Sequence, residues 1–444
     1  MTQRFIVQTF WRLSCCLCAS VLPVLLQAAE PKLTDEELAK KAERLQALVE
    51  NKLVQEHGLI PMLVRATDYQ LPTAEDYKGA YRHRHLKGKT EEELGMPPMH
   101  VWRAWENTPT DTAYYLYAMA YQYRTTGDPQ ALAICRRTFA ALKYIHQLGV
   151  ENGEPGFLCK PYGGKYSNQT SLDQVQCVAW GLDAYRGIAP PEDAAELNQM
   201  TKDFADFLMQ HDYRPPSGYF GRSAEELRKN TDYAQKIWTR AVIVLPMLHL
   251  AWYGSGDQKY VAEIERWYQE CGEEKPPSLN KTQLLGKGFG DRPRNIYLTS
   301  QLMEMAPLRE KQWRARMQAS FLQNRHGLLE DGTWPTSWVY HVASKRLEPQ
   351  DFPEVGGGLG RTGRSTIFAM ACVSAQRWLP NEDLKADARK ILDGQDEATF
   401  RFIMPLDDEH PLPPEWKIES ELLDTDSLTG WLCAYWEGHF RGYW

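Results

Sequence analysis

Past its first thirty residues, this 444-residue chain has no run of 18 uninterrupted apolar residues, so nothing there reads as a bilayer-spanning helix. It also lacks, over the same stretch, a Cys-x-x-Cys pair, a His-Glu-x-x-His motif and an acidic calcium loop. No metal or other cofactor is therefore expected. His83 and His85 in YRHRHLKGK read as an exposed basic patch rather than a metal site. Positive charge is in deficit as well: 51 Lys and Arg stand against 58 Asp and Glu, a formal −7. That balance argues against a nucleic-acid partner. Strand-like alternation is almost missing.

The first residues have a different character. Arg4 and Arg12 precede the apolar run LSCCLCASVLPVLLQ, which closes on Ala28 and Ala29. This is the pattern of a secretory signal over 1–29, followed by a single folded domain over 30–444 and a secreted or periplasmic location. Lipoprotein anchoring through Leu13-Ser14-Cys15-Cys16 is the alternative. Removing residues 1–29 takes Arg4 and Arg12 from the bases and nothing from the acids, so the formal charge moves from −7 to −9. Three of the nine cysteines leave with that segment. The six that remain, Cys135, Cys159, Cys177, Cys271, Cys372 and Cys433, are widely spaced, mostly in apolar helical runs, and read as buried thiols although export permits disulfides.

Helical periodicity recurs along the rest of the chain in two alternating flavours. Segments 110–124, 171–186, 233–253, 295–306, 364–379 and 427–440 are rich in aromatic and small residues and poor in charge. Segments 35–56, 129–147, 192–210, 257–271, 309–323 and 382–403 are amphipathic. A helix apolar all round is buried, whereas one with a polar stripe faces solvent. The pattern therefore predicts an all-α (α/α)6 toroid of six inner and six outer helices. An irregular solenoid is the competing architecture. Closure is favoured because the first outer helix lacks a preceding inner partner and the last inner helix lacks a following outer one. Short turns such as Thr126-Gly127-Asp128-Pro129 lead from inner to outer helices, while the long connections 58–109, 148–170, 212–231, 272–294, 324–363 and 404–426 all enter inner helices. These would gather as a mouth on one face, and loops of that length tend to carry function.

Two aspartates stand at this mouth. Asp111 in TPTD (108–111) and Asp173 in TSLD (170–173) fit the capping box, where Thr caps a helix and an acid three residues later reaches back. They also fit chemistry. Adjacent inner helix heads bring two carboxylates close, and paired carboxylates divide acid and base roles when their surroundings differ.

NTPTDTAYYLYAMAYQYRTTGD (107–128) resembles the segment of the unsaturated glucuronyl hydrolases in which an active-site Asp opens an inner helix that ends in Thr-Gly-Asp. GDRPRNIYLTSQ (290–301) and DSLTGWLCAYWEGHFRGYW (426–444) resemble a related group of secreted bacterial toroid proteins that includes β-glucuronidases. The resemblance implies a toroid fold, Asp173 as general acid/base, Asp111 as its carboxylate partner and a uronic-acid-containing oligosaccharide as substrate. Thr110 stands where that family has His, and its Arg-Gly-Gln-Ala-Trp signature is absent. Hydration of an unsaturated uronide and ordinary glycoside cleavage are both open, and two carboxylates can serve either.

An anionic sugar needs local cations. Arg292 and Arg294 in GDRPR, with Arg361 and Arg364 in GGGLGRTGRS, enter inner helices four and five, and Arg suits bidentate carboxylate recognition. Structural salt bridges are the alternative use. Trp102, Trp105, Tyr162, Tyr219, Trp334 and Trp338 fall in the mouth connections and are the candidates for stacking on sugar faces, with Tyr340 and His341 beside them in DGTWPTSWVYH. Two other functions compete with hydrolysis. A polysaccharide lyase would use Tyr340 or His341 as base and Arg294 or Arg361 to neutralise the developing charge. A non-catalytic glycan-binding toroid would keep the aromatics and leave Asp173 as a cap.

Overall fold

The computed structural model describes residues 32–77, 92, 96–213, 237–273, 291–311, 313–314, 317–318, 338–341, 346–349, 364–403 and 419–444. Leu33 to Trp444 form one compact unit. Helix α1 (Asp35–Leu48) begins with a complete capping box: Glu37 N donates to Thr34 Oγ1 at 3.2 Å and Thr34 N donates to Glu37 Oε2 at 2.8 Å. A short helix α2 (Met99–Trp105) then precedes α3 (Thr108–Thr126), α4 (Pro129–Glu151), α5 (Leu172–Arg186) and α6 (Pro191–Gln210). The remaining helices are α7 (Ile237–Ser255), α8 (Gln258–Glu273), α9 (Asp291–Met305), α10 (Arg364–Gln376), α11 (Leu384–Gly394) and α12 (Thr425–Phe440).

The two flavours of helix sort as their patterns require. In α3 every residue from Thr108 to Tyr121 is buried, and in α12 every residue from Thr425 to Gly438. Helix α6 instead buries a stripe, Leu197, Met200, Thr201, Phe204, Ala205 and Leu208, at the three-and-four spacing of one helix face. The all-round apolar helices form the inner layer. Each packs on the next, α3 on α5, α5 on α7, α7 on α9, α9 on α10 and α10 on α12. Helix α12 packs back onto α3, so the inner helices close a ring and the fold is an α/α toroid. Outside it, α4 packs on α3, α6 and α8 on α7, α11 on α10, and α1 on α12.

Close approach within the ring uses a missing side chain. A Cβ on Gly181 of α5 would lie 2.5 Å from the Ala113 carbonyl oxygen of α3. The turn out of α3 needs glycine for another reason: Gly127 caps the helix at φ 67°, in the left-handed region.

Two expectations need correction. The outer helix expected over 382–403 ends at Gly394. Asp396 and Thr399 then bond local backbone, Ala398 N to Asp396 Oδ1 at 2.9 Å and Asp396 N to Thr399 Oγ1 at 2.8 Å, offering the chain a turn instead of another helical one. The connections also contain strands. β1 (Leu63–Arg65) and β4 (Arg401–Ile403) flank β5 (Glu419–Asp424) in an antiparallel sheet, and β2 (Trp338–His341) pairs with β3 (Arg346–Pro349). Strand β5 runs directly into α12, so the sheet ties the first mouth connection to the last. Thr425 reinforces the tie, its N donating to Met62 O at 3.0 Å and its Oγ1 to Pro61 O at 2.5 Å. The outer segment expected over 309–323 lies partly outside the described residues, as does all of the signal expected over 1–29. Among the described residues no helix is long and apolar enough to cross a membrane.

Candidate active site

The heads of α3 and α5 do not use the local capping expected of them. Helix α3 starts at Thr108 with Asn107 as N-cap, so Asp111 is the fourth helical residue; α5 has Ser171 as N-cap, so Asp173 is the second. Neither N-cap makes a side-chain cap hydrogen bond. Gln174 of α5 supplies the head of α3 from outside. Its Oε1 accepts from Thr110 N at 3.2 Å and Thr110 Oγ1 at 3.0 Å, and its Nε2 donates to Asn107 Oδ1 at 2.8 Å. At α3 the bridge from Gln174 caps the head, and at α5 the N-cap is Ser171 rather than Thr170, which puts Asp173 at the second helical position with its side chain 40% exposed.

Around Asp173 the ring supplies further charge. Arg294 of α9 directs Nη1 at Asp173 Oδ2, 3.7 Å away, and its Nη2 donates to Asp426 Oδ2 of α12 at 3.2 Å. Asp111 and Asp426 are buried, at 0% and 1% exposure. One helical turn deeper, at the three-or-four spacing that stacks side chains on one face, lie Tyr114, Cys177 and Tyr297. The Tyr114 and Tyr297 hydroxyls are 2.6 Å apart, and Cys177 Sγ lies 3.6 Å from the first and 3.8 Å from the second.

The protonation states of this floor follow from its burial. Desolvation pushes Tyr114 and Tyr297 well above the usual tyrosine value. It also raises the Cys177 thiol, an effect that Arg294 opposes in part. Cys177 is therefore a neutral thiol at ordinary pH rather than a nucleophilic thiolate. Burial disfavours a charged Arg294, the Asp426 carboxylate beside it opposes this, and its pKa lies well above the ordinary arginine value. The cluster consists of the exposed Asp173 carboxylate, the buried Arg294 cation and the buried Asp426 carboxylate over a neutral hydroxyl and thiol floor, with Asp111 buried at the head of the adjacent α3.

The other expected site residues divide into three groups. Trp102, Trp105 and Tyr162 are buried in the main core, with Trp102 at 0% exposure beneath the Arg103 guanidinium. Arg292 falls in the first turn of α9, Arg364 opens α10, and Trp338, Tyr340 and His341 lie on β2; their side chains are outside the described residues. Tyr219, Trp334, Arg361, His83 and His85 lie wholly outside them. Cys135, Cys159, Cys177, Cys372 and Cys433 are free and buried. Among the described residues no group of three or more His, Cys, Asp or Glu side chains is arranged to hold a metal ion.

Two functional candidates escaped the sequence reading. Asp426 was hidden because the last inner helix was expected to start at 427, two residues too late, although Thr425-Asp426 repeats the Thr-Asp of 110–111. Gln174 carries no local signal, since its partners are more than sixty positions away. A cavity of about 230 Å³ opens at the other end of the inner helices, lined by Tyr121, Asp183, Tyr253, Gln301, Glu304 and Glu437 among others, and it reaches as far as Tyr297 of the floor. It contains none of the head residues, so the charge cluster and not that cavity marks the candidate site.

The sequence matches no family model, and a search of curated proteins gives no match. Solved structures do resemble it. A D-mannose isomerase aligns with a TM-score of 0.51 at 10% identity over 91% of this chain and 97% of its own. A protein from Salmonella enterica serovar Paratyphi A, described as a possible member of the GH105 family, aligns with a TM-score of 0.51 at 14% identity over 95% and 98%. Identities this low establish shape and nothing finer, and one fold hosts unlike chemistries. The chain has the α/α-toroid fold of these proteins over nearly its whole length.

Proposed function

We propose that this protein is an exported glycoside hydrolase acting on uronic-acid-containing oligosaccharides, with Asp173 as its acid/base group and Asp111 as the partner carboxylate. One observation carries the reading: Asp173 stands at an inner helix head, partly exposed and facing Arg294, while a neighbouring helix supplies the cap that α3 lacks. A carboxyl group so placed can give a proton to a departing glycosidic oxygen or take one from an attacking water. Asp111 is buried, so its part is electrostatic, exerted through an interior where charges interact more strongly than in water. Arg292, Arg361 and Arg364 are assigned to the substrate carboxylate and Tyr219, Trp334 and Trp338 to the sugar faces. That similarly folded proteins include a D-mannose isomerase and a GH105-like protein supports a sugar substrate.

The test is product analysis on a panel of saturated and 4,5-unsaturated uronides. Hydrolysis releases the terminal sugar from a saturated substrate with no new ultraviolet band, or abolishes the band of an unsaturated one. Appearance of that band would instead mean β-elimination, with Tyr340 or His341 as base. Interconversion of a free sugar would mean an isomerase, and binding without turnover a glycan-binding toroid.

A further inference from the structure

Helices α5, α9 and α12 are the second, fourth and sixth of the inner ring, so they are not consecutive, and side chains at their heads meet only across its interior. Arg294 makes that crossing. It contacts Asp426 of α12 at 3.2 Å through Nη2 and faces Asp173 of α5 at 3.7 Å through Nη1. Side-chain exposure rises in steps along this line, from 1% at Asp426 to 8% at Arg294 and 40% at Asp173.

The deep end of the line is also the most firmly held. The backbone before Asp426 is fixed by the pairing of β5 with β1, Leu63 opposite Asp424, and by the hydrogen bonds that Thr425 donates to Met62 and Pro61. Ser427 Oγ then donates to Asp424 Oδ2 at 2.9 Å, closing the first turn of α12. Arg294 Nε is buried without a hydrogen-bond partner, so the guanidinium takes its orientation from its two Nη contacts. Burying a charged pair is costly, and apolar residues of similar volume often serve stability as well or better. This pair is aimed at an exposed carboxylate, which places it to orient that group.

We infer that Asp426 is a positioning residue: it fixes Arg294, and Arg294 holds the Asp173 carboxylate in one orientation at the mouth. The inference rests on Asp173 being the acid/base group of the proposed hydrolase. It gives Arg294 a role through its own chain rather than on a substrate uronate. Asp426, buried at the far end, touches no substrate.

Steady-state kinetics on the uronide identified by the panel tests this. Asp426→Asn keeps the side-chain volume and releases Arg294, and kcat is expected to fall on the order of 10²-fold, the scale of a misplaced reacting group, with KM within about threefold of wild type. Where that variant does not fold, the double variant Arg294→Met/Asp426→Leu removes both charges together and restores a folded protein. Its kcat is expected to stay low because Asp173 is still unheld. A merely structural pair predicts the opposite, a folded double variant with wild-type kcat, and that result overturns the inference. Asp173→Asn, run alongside, separates the two levels. If it is inactive while both other variants keep wild-type kcat, the hydrolase reading stands and the positioning role falls. Full activity in Asp173→Asn removes the reading itself, and the inference with it.

Discussion

Replacing Gln174 with Ala should destabilise the protein more than removing a conventional helix cap, because Gln174 does a cap's work from a neighbouring helix and in a buried place. The side chain makes three described hydrogen bonds to the head of α3, at 2.8, 3.0 and 3.2 Å. Each contributes about 1 kcal/mol net, and the buried Thr110 N–H and hydroxyl left behind lose an acceptor, so the total loss is about 3 kcal/mol. Thr34→Ala is the internal reference. It removes a solvent-exposed capping box at α1, for which about 1 kcal/mol is the usual cost. Urea unfolding followed by tryptophan fluorescence compares the two variants under one condition. Gln174→Glu keeps an acceptor but loses the donor to Asn107 and buries a carboxyl group, so it should cost at least as much as Gln174→Ala. The reasoning is refuted if Gln174→Ala costs no more than Thr34→Ala, since α3 would then hold its head without help from α5.

The same structure yields further expectations. Gly181→Ala should lower the thermal midpoint: a helical Gly→Ala change gains about 1 kcal/mol, but the new Cβ would sit 2.5 Å from a backbone oxygen of α3, and overpacking against backbone costs about 1–3 kcal/mol or more. An unchanged or raised midpoint contradicts that close contact. His249, buried against the Tyr268 hydroxyl at 2.8 Å, has its pKa lowered by desolvation from 6.5 to about 4. The unfolded chain thus binds a proton that the folded one refuses, so this stability is fully present above pH 6.5 and is lost as pH falls toward 4. His249→Gln should shrink the stability difference between pH 7 and pH 5 by about 2 kcal/mol in denaturant titrations at the two values, and an unaltered difference counts against the burial argument. Iodoacetamide should leave Cys177 unmodified in the native protein and label it after unfolding, as peptide mass mapping would show; native labelling means the floor is open to solvent.

The architecture was legible because burial all round and burial on one stripe leave different sequence patterns. The runs YAQKIWTRAVIVLPMLHLAWY and TDTAYYLYAMAYQYR could only be interior, and the unpaired first and last helices pointed to a closed ring. Short-range reasoning failed where a non-local partner intervened. Thr-x-x-Asp at 108–111 and 170–173 has the form of a capping box, yet Gln174 takes over at the first site and the second helix begins a residue later than the motif requires. Three-residue strands such as Arg401–Ile403 are too short to show alternation, so the sheet joining β1, β5 and β4 left no trace in the pattern. The aromatics near α3 and α5 show the limit of reading function from loop position. Trp102, Trp105 and Tyr162 lie in mouth connections, but their size draws them into the core.

The central claim is that Asp173 does chemistry and does not cap its helix, and one paired measurement on Asp173→Asn addresses it: the thermal midpoint, and kcat on the cleaved uronide. The account predicts a midpoint close to wild type, because among the described residues the Asp173 carboxylate is found facing Arg294 and not bonded to its own helix head, together with a loss of kcat on the order of 10³-fold or more as the proton-transfer group disappears. A variant that keeps full kcat while its midpoint drops by several degrees would contradict it, returning Asp173 to the role of a helix cap.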